Sequence, residues 1–143
     1  MAYCTLADLI ERYGEAELIQ RADRDNDGSP DAAVVNRAIA DASAEIDGYL
    51  ATRYQLPLPT IPVILARIAG DMARYFLWQE QASEEVRRRY EDARRLLEAI
   101  SSGKVSLGLP ATLPAEQKPQ LSVAAAKSGP APLFGPDGMG EVY

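Results

Sequence analysis

Hydrophobic positions recur at steps of three and four through most of the first hundred residues, which predicts helices separated by polar or proline-rich breaks. Thr5 and Asp8 form a capping-box pair at the head of the first helix. Cys4 before the cap and Leu9 one turn inside are placed to staple the entering chain, so Cys4 reads as small apolar packing rather than as a reactive thiol. Gly14 ends that helix, and EAELIQRA continues as a second short one. The clearest period runs from about Asp31 to Tyr54. Val35, Ile39, Ala42, Ile46 and Tyr49 mark its stripe, Ala38 and Leu50 widen it, and Asp41, Glu45 and Asp47 fall largely outside it. Gly48 inside this helix has a cost, and a close neighbour packing there would be one reason for it.

The prolines of QLPLPTIP force an extended connector, and Pro62, two residues after Thr60, suits the first turn of the next helix. That helix runs to about Gln81 and carries Ile64, Leu65, Ile68, Met72, Tyr75 and Phe76. It is apolar around much of its circumference and should be the most buried element. Tyr75 and Trp78, aromatic at helical spacing, are expected in the core rather than on a binding surface. Ser83 caps a last helix, EEVRRRYEDARRLLEAIS, with Glu84 and Glu85 at its positive end, Val86, Tyr90, Leu97 and Ile100 as its inner stripe, and Gly103 as its stop.

Beyond Gly103, KVSLGL alternates as a short strand would, and residues 110–143 are rich in Pro, Ala, Gly and Ser. The expected fold is all-α: a small bundle of about four main helices in residues 1–109, followed by an extended arm over 110–143. Leu121, Val123, Leu133, Phe134, Val142 and Tyr143 dot that arm with apolar groups. This predicts an arm that docks on a partner molecule and adds short β structure on assembly.

Composition narrows the chemistry. The 143 residues carry a formal net charge of -6, which argues against gripping nucleic acid by bulk electrostatics. With no histidine, and a single cysteine, the commonest general base, a cysteine-rich zinc site and an internal disulfide are all excluded. No Gly-rich phosphate loop or nucleophile motif is present, so an enzyme is the least expected reading. The N-terminus does not read as a signal peptide, and the apolar stretch Ile61–Ala69 is too short for a membrane span, so a cytoplasmic protein without membrane contact is expected.

Two stretches carry candidate chemistry. In DRDNDGSPD, Asp23, Asp25 and Asp27 take the first, third and fifth places of a calcium loop, Gly28 the sixth and Asp31 the ninth. The twelfth place, where a bidentate glutamate closes such a loop, is Val34, and the eighth is Pro30. A polar turn accounts for the same residues: Asp27-Gly28 is a turn pair, and Ser29-Pro30 reads as a cap followed by a first-turn proline. Both readings, a Ca2+ site and a structural turn, stay open here. The last helix carries Arg87, Arg88, Arg89, Arg94 and Arg95. Glu84, Glu91 and Arg87 precede Arg88, Arg95 and Glu91 by four, which predicts a salt-bridge-laced face rather than a DNA-contacting one. Such a face is exposed to solvent, or is a rim that meets an acidic neighbour.

YCTLADLIERYG, ADRDNDGSPD, AIADASAEIDGYLATRYQLPLP and SSGKVSLGL together resemble the Mu-like phage and prophage head–tail connector proteins, over about Met1 to Leu109. The resemblance implies a structural virion protein of the neck, assembled in the host cytoplasm. It implies a homo-oligomeric ring, roughly twelve-fold, beneath the capsid portal. Its partners would be the portal protein and a neck, stopper or tail-terminator protein, with genomic DNA passing through unread. The Glu/Arg-laced last helix would supply one side face of each copy, which makes Arg87, Arg88, Glu91, Arg94 and Arg95 subunit-interface candidates, and no catalytic residue is carried over. The competing readings are a calcium-responsive helical module built on Asp23–Asp31 and a small DNA-binding regulator.

Overall fold

Thr5 and Asp8 open the first helix, α1 (Leu6–Tyr13), as reciprocal caps. The Asp8 N–H donates to Thr5 Oγ1 at 3.2 Å and the Thr5 N–H to Asp8 Oδ2 at 2.9 Å. Cys4 and Leu9 are both buried, as a staple across the cap requires. The structure, a computed structural model, describes residues 1–111. Gly14 turns the chain at φ 93°, a conformation that suits a residue without Cβ, and α2 (Glu15–Ala22) begins at once. Three longer helices follow: α3 (Ala32–Leu50), α4 (Val63–Trp78) and α5 (Glu84–Ser101). The fold of the described residues is an all-α bundle, as its periodicity predicts.

Helix α4 lies at the centre, packed on α3 and α5, and α1 and α2 cover its remaining side. Leu65, Ile68, Ala69, Met72, Ala73 and Leu77 are all buried on it. They meet Val35, Ile39, Ile46 and Leu50 of α3 and Ala93, Leu97 and Ile100 of α5 in one continuous core. Burial of each large aliphatic side chain there is worth about 1.5–3 kcal/mol. Gly70 marks where α1 crosses α4, since a Cβ there would meet Tyr13 Oη at 3.3 Å and Arg12 Cδ at 3.4 Å.

Several expectations are corrected. Helix α3 stops at Leu50, and Tyr54, its ring buried, turns back so that its hydroxyl accepts the Leu107 N–H at 3.2 Å. Pro62 is the residue before α4 rather than inside its first turn, and Thr60 supplies no cap. Helix α4 ends at Trp78 because Gln79 adopts φ 55°, and Gln79–Gln81 is a single 3₁₀ turn. No packing neighbour among the described residues explains Gly48, since none beyond its own helix backbone lies within 4 Å of the Cβ position there. KVSLGL forms no strand: Val105, Leu107 and Leu109 lie half-buried against the core, so their alternation reports one side of a segment laid on the bundle. Among the described residues no helix is long and apolar enough to cross a membrane.

Candidate interaction surface and aspartate loop

The loop between α2 and α3 is held by its own backbone. The Asp27 N–H donates to Asp23 Oδ1 at 3.1 Å and to Asp25 Oδ1 at 3.3 Å, and the Gly28 N–H to Asp23 Oδ2 at 3.0 Å. The Ser29 N–H reaches Asp27 Oδ1 at 2.9 Å, and the Arg24 N–H reaches Asp31 Oδ2 at 2.9 Å. Asn26 (φ 59°) and Gly28 (φ 86°) supply the positive-φ bends this requires. Asp31, and not Ser29, is the residue that precedes α3; its carboxylate turns back to Arg24 and leaves the helix without a side-chain cap.

Asp23, Asp25, Asp27 and Asp31 each bring one carboxylate oxygen within 4.8 Å of the others, so these are the residues that could hold a cation. Val34 packs half-buried against the core and offers no closing ligand. Desolvation works against the Asp23 charge, but the Gly28 and Asp27 N–H groups outweigh it and hold its pKa below the ordinary value. The Asp23 carboxyl beside Asp25, with partial desolvation and the charges of Asp27 and Asp31, holds the Asp25 pKa above it.

The outer face of α5 is laced, although not by the predicted pairs. Arg87 meets Glu84 at 3.2 Å, Arg89 meets Glu85 at 3.0 Å and Arg95 meets Asp92 at 2.6 Å. Residues three apart are as close on a helix as residues four apart, and the shorter step is the one Arg87 and Arg95 take. Arg94 leaves this face and reaches Glu45 of α3 at 3.6 Å. Arg88 and Glu91, exposed, have no ionic partner within 4.0 Å among the described residues. The interface candidates thus divide: Arg87, Arg88, Glu91 and Arg95 stand outward together, and Arg94 joins α5 to α3.

Sequence reading missed a polar seam between α2 and α4. Arg74 clasps Glu17 through Nε at 2.7 Å and Nη2 at 3.0 Å, and Trp78 Nε1 donates to the same carboxylate at 2.9 Å. The Arg21 guanidinium lies over the Trp78 ring at 3.9 Å. Partial burial would raise the Glu17 pKa, but the Arg74 and Trp78 donors win and lower it. Buried Asp71, one turn before Tyr75, accepts the Tyr13 hydroxyl at 2.5 Å. Burial, the Asp71 hydrogen bond and its charge push the Tyr13 pKa upward. Trp78 and Tyr75 are half-exposed rather than core. Tyr75 stacks on Tyr90 at 4.2 Å between centroids, and Phe76 meets that ring edge-on at 5.7 Å. Leu121, Val123, Leu133, Phe134, Val142 and Tyr143 lie outside the described residues.

A family model described as "Bacteriophage Mu, Gp36" matches residues 3–125, further than the likeness read from the sequence. The chain is 45% identical to the Mu-like prophage FluMu protein gp36 of Haemophilus influenzae over 107 residues, 75% of this chain and 76% of that one. It is 42% identical to gene product J of Escherichia phage Mu over 110 residues, 76% of this chain and 78% of the relative.

Proposed function

Since this chain belongs to the Bacteriophage Mu Gp36 family and is a phage protein, we propose that it is the head–tail connector of a Mu-like particle. In this reading it is a structural protein, not an enzyme. Copies form a ring beneath the capsid portal, extend the DNA channel and receive the next neck or tail component. The observation that carries the reading is the outer face of α5: Arg87, Arg88, Glu91 and Arg95 stand exposed along a long helix whose opposite side is locked in the core. Ring closure requires two chemically different side faces on each copy, because the contact is head-to-tail. The outer face of α5 and the half-exposed Tyr75 and Phe76 of α4 are two such chemically different faces. The arm over residues 110–143 would dock on the portal.

The proposal is tested in particles assembled with an epitope-tagged chain and labelled for electron microscopy. Label at the head–tail junction is expected. Label on the capsid shell, or along the tail, would contradict it.

A second reading, a calcium-responsive helical module, is favoured by the convergence of four carboxylates in the Asp23–Asp31 loop. Its test is a melting temperature followed against calcium concentration. A rise of several degrees at micromolar calcium would favour it over the connector reading.

A further inference from the structure

We infer that the groove where α3 and the end of α4 meet receives an arginine side chain from a second copy of this chain, namely Arg88 of α5. It is lined by Tyr75, Phe76 and Gln79 together with Asp41 of α3 and Glu80 of the 3₁₀ turn. Asp41 and Glu80 are exposed, and neither has a cation within 4.0 Å among the described residues. Arg37, one turn before Asp41, does not close on it. Half-exposed aromatic rings in one groove with two carboxylates match a guanidinium, whose flat face stacks on rings while its five N–H donors reach oxygens at its edge.

Gln79 adds an independent observation. It holds φ 55° and ψ -131°, a conformation that glycine adopts freely and a residue with Cβ does not. Its side chain makes no hydrogen bond within the chain among the described residues. An amide on a strained backbone, among the residues that line the groove and without a hydrogen-bond partner among the described residues, offers an acceptor for one further guanidinium hydrogen bond.

The occupant follows from charge complementarity. Of the five α5 arginines, Arg87, Arg89, Arg94 and Arg95 each pair with a carboxylate of their own chain, and Arg88 has no such partner among the described residues. Arg88 lies two residues past buried Val86, about 200° round the helix at roughly 100° per residue, so it points away from the core and from its own groove. A groove and a guanidinium on different faces of one chain make a head-to-tail contact, the kind that closes a ring. The inference therefore rests on the proposed connector role and assigns its lateral contact.

The test follows assembly of the full chain by sedimentation velocity and by electron microscopy on the portal. Glu80→Arg and Arg88→Glu, both at exposed positions, are each expected to weaken assembly about tenfold or more, and the two changes together to restore most of it. Gln79→Gly is expected to raise the melting temperature while weakening assembly. Single reversals that assemble like the parent, or a double reversal no better than either single one, would overturn the groove assignment and leave the connector role standing. A parent chain that stays solitary both in solution and on the portal would overturn the connector role itself.

Discussion

Asp25 and Glu17 show how one kind of side-chain group, the carboxylate, reports opposite environments. In the loop, Asp25 sits among carboxylates, so its ionised form is disfavoured on folding. That penalty is absent below its unfolded pKa and complete once pH rises above its raised folded value. Asp25→Asn should therefore raise the melting temperature at pH 7 and leave it unchanged near pH 3, as thermal scans at the two pH values would record. A variant that melts lower at pH 7 would mean that the carboxylate is holding something. Glu17 is the reverse case. Its folded pKa is depressed, so its contribution is present above the unfolded value and disappears as pH falls through the folded one. Glu17→Ala strands a half-buried Arg74 and the Trp78 N–H, and should cost about 2 kcal/mol in denaturant titrations at pH 7. The aspartate loop was legible in the sequence as a cluster, and Val34 was legible as a missing ligand. Calorimetry should accordingly show calcium binding no tighter than about millimolar, the range of loosely built oxygen sites.

At the scale of elements, what was legible was what is written locally. Thr5–Asp8, Ser83 and Gly103 place helix ends with short-range hydrogen bonds, so the sequence alone predicts α1 and α5 well. The 3.6-residue period of α3 and α4 identified the buried face, Ile39 and Leu65 included. What escaped depends on a partner distant in sequence. Asp71 is buried because Tyr13, 58 residues away, donates to it, and Glu17 is depressed by Arg74, 57 residues away. The α5 ion pairs were mis-assigned for a subtler reason: three- and four-residue steps compete on one helix surface, and rotamers choose between them. Gly48 gives the sharpest element-level prediction. With open space where a Cβ would stand, Gly48→Ala should stabilise the isolated chain by roughly 1 kcal/mol, a rise of about 5 °C in melting temperature. Leu65→Ala, at a fully buried position on the central helix, should instead cost about 3 kcal/mol.

The helical bundle has a surface that differs from side to side. The α5 face presents outward cations and carboxylates, and the edge where α4 meets α3 presents half-exposed rings beside acids that have no cation within 4.0 Å among the described residues. The family membership supplies the phage context, and the two faces supply a physical reason why copies would meet side by side rather than face to face. The central claim is that these copies assemble on the portal. Electron microscopy of the purified full chain mixed with its portal protein addresses it most directly. Rings of one fixed rotational symmetry seated on the portal are the predicted result; portal particles that remain bare at saturating chain would contradict it.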